Sequence, residues 1–343
     1  MRWHLRRGGT LTIVLAFLLS ACSASGGSSP GASGGDEGGE SIIYFGSGAT
    51  QAEVYTLPVV IGAADILAED GIRLEYAALT GDEVVAAALD RGRIDVANIS
   101  LLGAQRAISA GLGMRWTITN STQNVFVLVV PADVTDLSEM RGMKLGVQDP
   151  TSLSTVLLPA TMMAGGVQPD EYETVYLAGS SNRAAALDAG TLDGTILLRD
   201  VAVDVVASGD WQIWGGGSST LEPMMWEGLV MSEEFRANEE LSNAFISAVL
   251  EAYEQFYAAD PAELAADWLG RELPATAGLD VDVTAEDFRQ YQEIELFPTD
   301  GGLGEDLFTR MNETLASVGM LEEGDALPYD EVVDASILER AQE

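Results

Sequence analysis

Ser152, Ser154 and Thr155 open an apolar run that the spacing predicts to be a helix through Ala164. Hydroxyls and unpaired backbone N–H groups at a helix start suit an anion or a carbonyl oxygen, and equally suit plain N-capping. Arg199 and Asp200 follow directly on the apolar segment 194–198. A guanidinium there can hold a carboxylate or sulfonate through two parallel hydrogen bonds, or can pair with Asp200 or another acid. Asp200 can instead hold an amine or a thiazole- or pyrimidine-like cation. Three more places have the same character: the loop Gly48, Ala49 and Thr50, the helix start at Gly81 and Asp82, and Ser100 after the apolar segment 94–99. Trp226, with Met224 and Met225, offers an apolar wall, although core packing is its simpler role; Tyr44 and Tyr55 read the same way. Apart from that wall, these places lie where strands of an open α/β sheet would end, which is where such sheets bind ligands.

Other chemistry is excluded. Cys22 is the only cysteine and His4 the only histidine. Ser-His-Asp and Cys-His catalysis, and any thiolate or imidazole metal site, are thereby ruled out for residues 41–343. We expect no catalytic residue, no cofactor and no metal, with carboxylate chemistry or an oxygen-ligated cation formally open. A single cysteine allows no internal disulfide, and about 300 residues bury an ample core without one.

The elements that must hold these groups repeat. Ala86-Ala87-Ala88-Leu89-Asp90, Gly92, Asp95, Ala104, Gly111 and Trp116 recur 98 residues later as Ala184-Ala185-Ala186-Leu187-Asp188, Gly190, Asp193, Ala202, Gly209 and Trp214. Each copy reads as helix, glycine stop, short strand and second helix. Two similar α/β lobes with a cleft between them would produce this, and clefts bind small molecules. Strands alternate with helices at a spacing that argues for mostly parallel sheets. The apolar strands 125–130 and 228–231 read as the crossings between lobes. Residues 41–124 with 232–343 then form lobe 1, and residues 125–231 form lobe 2. A helix over 153–164 is expected to kink or restart at Pro159.

The N-terminus reads as a signal. Arg2, Arg6 and Arg7 precede an apolar run of about ten residues, too short to span a bilayer. Residues 1–21 are the expected signal peptide, and the Gly- and Ser-rich residues 22–40 a flexible tether reaching roughly 20–25 Å. No later segment is long and charge-free enough to be a transmembrane helix, so anchoring rather than spanning is expected. The net charge is −37, and Lys144 is the only lysine. Such a surface repels nucleic acid and anionic lipid. It suits a saline habitat, or serves solubility alone.

Several of these segments resemble a known family. They are Leu19-Ser20-Ala21-Cys22, which resembles a lipobox, then the Gly/Ser tether, Leu89-Asp90-Arg91-Gly92-Arg93-Ile94-Asp95, and Leu137 to Val147 with its Ser/Thr-rich turn. Together they resemble the solute-binding lipoproteins of ABC importers, in the nitrate, sulfonate, taurine and thiamine-precursor branch. The resemblance implies a two-lobed type II periplasmic-binding-protein fold with the ligand cleft between the lobes. It also implies lipidation at Cys22, a location on the outer face of the cytoplasmic membrane or in the periplasm, and a monomer that delivers a small solute to an ABC permease. The solute would be anionic or heterocyclic, of sulfonate, nitrate or thiamine-precursor type. An enzyme or a sensor lipoprotein on the same fold is the alternative.

Overall fold

Short Ile-, Val- and Leu-rich runs bounded by glycine form strands, and the Ala- and Leu-rich runs between them form helices. The structure, a computed structural model, describes residues 41–48, 52–150, 152–217, 222–322 and 324–342. The expected signal, tether and Cys22, together with Ala49 and Thr50, lie outside the described residues. No helix among the described residues is long and apolar enough to cross a membrane.

The first sheet holds β1 (Ser41–Ser47), β2 (Ile72–Ala78), β3 (Val96–Ser100), β4 (Met114–Ser121) and β10 (Glu227–Ser232), in the order β2-β1-β3-β10-β4. The second holds β5 (Phe126–Pro131), β6 (Lys144–Val147), β7 (Glu173–Tyr176), β8 (Gly194–Leu198) and β9 (Trp211–Ile213), in the order β7-β6-β8-β5-β9. The two orders are the same pattern. In the first sheet β1 runs parallel to β2 and β3, while β10 runs antiparallel to β3 and β4. In the second, β6 runs parallel to β7 and β8, while β5 runs antiparallel to β8 and β9. Each sheet is therefore mixed and, as expected, mostly parallel: four of its five strands run one way, and only β10 or β5 runs against them. The cause is connectivity: β5 and β10 are entered from the other sheet, so they run against the strands that helical crossovers join.

The repeat in sequence is a repeat in structure. Helices α2 (Asp82–Asp90) and α3 (Leu101–Ser109) flank β3, as α5 (Ser180–Asp188) and α6 (Arg199–Val206) flank β8. Gly92 and Gly190 follow α2 and α5 with φ of 62° and 66°, left-handed angles that glycine adopts without strain. The paired aspartates do one job. Asp95 accepts from the Tyr44 N–H and Asp193 from the Lys144 N–H, each at 2.8 Å. Each thus pins the entry of one strand to the start of a neighbour.

The chain passes between sheets just before β5 and just before β10. The strand Glu227–Ser232, mostly assigned to lobe 2 by its sequence position, lies inside the first sheet between β3 and β4. Its apolar residues are buried on both faces, which suits a central strand. The two crossings run side by side, with the Met224 N–H donating to the Thr122 carbonyl at 2.9 Å.

After β10 the chain is helical. The long α8 (Glu239–Ala258) buries Phe245, Val249, Tyr253 and Phe256. Next come α9 (Pro261–Leu269), α10 (Val281–Glu293) and α11 (Glu305–Ser317), of which α10 reaches α6 and α11 reaches α4 (Leu153–Ala164). Pro159 sits inside α4, which continues past it as one helix. A smaller apolar core, with Val129, Leu187, Leu197 and Ala202, closes one side of the second sheet.

Candidate binding cleft

Residues at the carboxyl ends of the parallel strands meet across a narrow cleft. Ser47 and Gly48 lie at the end of β1, Asn98 near the end of β3, and Glu227 at the start of antiparallel β10, opposite Ser100. Glu53, before the short turn Val54–Thr56, and Asp82, at the start of α2, complete the wall from the first sheet. The second sheet contributes Phe126, Gln148, Ser152, Leu153 and Ser154. The cavity volume is about 20 Å³, room for roughly one water molecule. Any organic solute therefore requires the two walls to part.

The first wall is carboxylic. Asp82 Oδ2 accepts from the Ser100 hydroxyl at 2.6 Å and from the Ser100 N–H at 3.4 Å. Ser100 in turn caps α3 by accepting from the Gly103 N–H at 3.0 Å. A Cβ at Gly103 would come within 2.5 Å of Asp82 Oδ2, so glycine is what lets α3 approach this acid. The Tyr55 hydroxyl donates to Glu53 Oε2 at 2.7 Å. Glu227 Oε2 accepts from Asn98 Nδ2 at 3.1 Å. Asn98 is held by Asn120 Nδ2 at 3.1 Å, and Asn120 by the Tyr253 hydroxyl at 2.7 Å. This buried relay runs from α8 through β4 and β3 and fixes the orientation of Glu227.

Burial is the largest cause of the shifts of all three acids, and repulsion from neighbouring acids adds to it. Glu53 is pushed up to about 7 by burial, opposed by the Tyr55 hydrogen bond and raised further by Asp200. Asp82 is also pushed up to about 7 by burial, opposed by Ser100 and raised by Asp149. Burial lifts Glu227 well above the ordinary carboxylate range, with Asp82, Glu53 and Asp149 adding to the rise. Three buried carboxyls in so narrow a cleft resist ionising together.

The second wall is hydroxylic, and its hydroxyls are engaged with one another. Ser152 and Ser154 share a hydrogen bond of 2.8 Å. Ser154 accepts from the Gln148 N–H at 2.9 Å, and the Thr155 hydroxyl donates to the Asp149 carbonyl at 2.5 Å. Asp149 Oδ1 accepts from the Ser152 N–H at 2.9 Å. A carboxylate of the chain itself thus sits at the start of α4, where the helix dipole favours negative charge.

The residues singled out from sequence are only partly brought together. Gly48, Asp82, Ser152 and Ser154 line the cleft. Gly81, Ser100 and Thr155 stand directly behind it: Gly81 donates its N–H to Gly48, and Ser100 and Thr155 hold Asp82 and Asp149. Arg199, Asp200 and Trp226 are set apart from the lining. Arg199 Nε is buried without a hydrogen-bond partner, and its positive charge opposes the rise of Asp287. Burial raises the Asp200 carboxyl. Trp226 is fully buried, with its backbone bonded to Ser121 and Leu101.

Sequence reasoning missed Glu53, Asn98, Gln148 and Glu227. Two of them carried a signal. Asn98 interrupts the apolar strand Val96–Ser100, and Glu227 stands between Trp226 and an apolar strand. A polar residue inside a buried strand must be satisfied, and here the two satisfy each other. Arg183 was also missed. It is fully buried and donates to the Ile196 and Leu177 carbonyls and to the Ser180 hydroxyl, at 2.9, 3.0 and 3.1 Å. Burial lowers it to about 10, against the opposing pull of Glu53 and Asp149.

Two like-patterned α/β sheets facing one polar cleft define a two-lobed periplasmic-binding-protein fold. The family described as "ABC transporter, phosphonate, periplasmic substrate-binding protein" matches residues 63–252, more than half of the chain, and the chain belongs to that family. The family consists of substrate-binding components of ABC importers. Among solved structures, the ligand-binding component of an ABC-type import system from Staphylococcus aureus, determined with zinc bound, superposes with a TM-score of 0.73 at 14% identity, covering 88% of this chain and 99% of that one. The periplasmic nitrate-binding protein NrtA from Synechocystis PCC 6803 gives 0.67 at 13% identity, covering 88% of each chain. The putative periplasmic sulfonate-binding protein SsuA from Methylobacillus flagellatus KT gives 0.63 at 17%, covering 88% of this chain and 93% of that one. These likenesses are of fold. Among curated protein sequences none matches this chain.

Proposed function

We propose that this protein captures one small solute between its lobes and hands it to an ABC permease, and that it is not an enzyme. The observation that carries the reading is the convergence of polar side chains from both sheets on one cleft at their carboxyl ends. The paired crossings near Thr122 and Met224 supply a natural hinge, because two adjacent extended segments bend with little loss of packing. The lobe boundaries at the crossings just before β5 and just before β10, monomeric action, and a membrane anchor through a lipid on Cys22 belong to the same reading. No Ser-His-Asp or Cys-His machinery is available to turn the solute over, since His4 and Cys22 are the only residues of their kinds.

For the solute, an anion of sulfonate or nitrate type has little support in this cleft, where no lysine or arginine is among the described lining residues. The heterocyclic class fits better, since ring nitrogens and amino groups can bond to carboxyls and to Asn98. A melting-temperature screen of the full chain tests capture. A solute at about 100 times its dissociation constant adds roughly 2.7 kcal/mol of stability. A stabilising solute whose effect vanishes in Asn98→Leu supports the cleft; one whose effect survives removes it.

A further inference from the structure

We propose that the cleft takes a small organic cation, an ammonium or amidinium head held by the carboxyls of Glu53, Asp82 and Glu227. The inference rests on the solute-capture reading and names the chemistry of that same site.

Three observations converge. First, every ionisable side chain among the described residues of the cleft lining is an acid or Tyr55: Glu53, Asp82 and Glu227, with Asp149 close behind. Second, the helix start and hydroxyls of the lining at which an anion would be held are already taken. The start of α4 is occupied by Asp149, and the Ser152, Ser154 and Thr155 hydroxyls are engaged locally. Arg183, the guanidinium whose charge is felt by Glu53, lies outside the lining and gives one donor from each of its three nitrogens to two carbonyls and Ser180. Third, the acids are built into place. Glu227 is only 9% exposed and is oriented by the relay from Tyr253, and Asp82 is only 8% exposed and fixed by Ser100. Orienting buried carboxyls that repel one another costs stability, and a bound cation offsets that cost. No cluster among the described residues has metal-ligand geometry. That favours a planar or tetrahedral N–H donor over a bare metal ion, since ammonium and amidinium groups bond several acceptors at hydrogen-bond distance.

Charge linkage sharpens the case. The acids facing one another here are Glu53, Asp82, Glu227 and Asp149, with Asp200 and Arg183 behind them and the Tyr55 and Tyr76 hydroxyls beside them. Burial keeps protons on Glu53 and Asp82 up to about pH 7. A cation must displace those protons, so binding strengthens as pH rises and releases protons to the buffer.

The test is calorimetric titration of the full chain with 2-aminoethanol and acetamidinium, and with nitrate, methanesulfonate and methylphosphonate, at pH 6 and pH 8. We expect a cation to bind at least about tenfold more tightly at pH 8, with a heat that depends on the buffer's ionisation enthalpy. Asp82→Asn and Glu227→Gln should each weaken the cation about tenfold or more while raising the melting temperature of the unliganded protein. A merely structural role would lower both. Binding of an anion in preference to both cations overturns the inference and leaves solute capture standing. Binding of neither class overturns the inference. If in addition no compound of either sign shifts the melting temperature, capture falls with it.

Discussion

The two lobes share a backbone plan and differ at the positions that face each other. Gly81 and Gly179 start α2 and α5 with φ of 82° and 85°. The next residue is Asp82 in lobe 1 and Ser180 in lobe 2, and both accept from the backbone at the start of the following helix. Asp82 takes the Ser100 N–H and Ser180 the Leu198 N–H. One turn on, lobe 1 has buried Val85 where lobe 2 has buried Arg183. The difference teaches that glycine and aspartate at strand and helix ends maintain the topology, while side-chain chemistry diverges just after the helix-start glycine, where Asp82 lines the cleft and its counterpart Ser180 does not. Lobe 1 presents carboxyls. Lobe 2 presents hydroxyls and keeps its arginine beneath the surface.

The largest expected contrast is in the paired tryptophans. Trp116 is fully buried and packs so tightly over Gly228 that a Cβ there would sit 2.0 Å from its ring, whereas Trp214 is partly exposed. Trp116→Ala should cost about 3–5 kcal/mol, and Trp214→Ala clearly less, in urea unfolding monitored by circular dichroism. Equal costs would mean that the lobes are more alike than their packing indicates.

Arg183→Met should cost about 2–4 kcal/mol, because it strips donors from two buried carbonyls and from Ser180. The matching change in lobe 1, Val85→Met, adds only apolar volume and should cost about 1–3 kcal/mol. The same unfolding curves decide whether lobe 2 depends on its arginine more than lobe 1 depends on shape.

Stability should also run against the usual pH trend. Glu53 and Asp82 titrate near 7 and Asp287 near 8 in the fold, all raised mainly by burial, whereas the unfolded chain loses these protons near about pH 4. Between those limits the folded state binds more protons than the unfolded one. Stability is therefore greatest below about pH 4 for these groups and is lost as pH rises toward 8. Each group contributes a slope of up to about 1.4 kcal/mol per pH unit. Asp287→Asn removes a buried carboxyl whose Oδ2 has no partner and should flatten the slope without touching the cleft. Melting curves from pH 5 to 8 read both effects.

Smallest is Tyr253→Phe, which deletes the first donor of the relay. It should cost about 1 kcal/mol and weaken solute binding a few-fold by loosening Glu227, an effect visible in a titration of the variant.

Most of the fold was legible because it rests on short-range signals. Ser at a helix start and bounded apolar runs located α4, β8, β5 and β10 to within a residue. The reversal of β5 and β10 was not legible, because it depends on which lobe each strand enters from, a fact about connection and not composition. The short β9 was missed since Trp211–Ile213 has no strand length to read. At the cleft, Asp82, Ser152 and Ser154 were readable from helix-start chemistry. Glu53 was not, because it lies in a loop whose position is set entirely by tertiary contacts. Arg199 stood out in sequence as a cation after a buried strand, a pattern that cannot tell whether the guanidinium lines a cleft or, as here, stands outside the lining where its charge acts on Asp287 of α10.

The most direct test of lobe closure is the distance between spin labels at exposed Val84 of lobe 1 and Tyr176 of lobe 2. The account predicts a broad distribution without solute, extending beyond the separation of the described narrow cleft, and collapse to one short distance with a solute that raises the melting temperature. A stabilising solute that leaves the distribution unchanged would contradict capture between moving lobes.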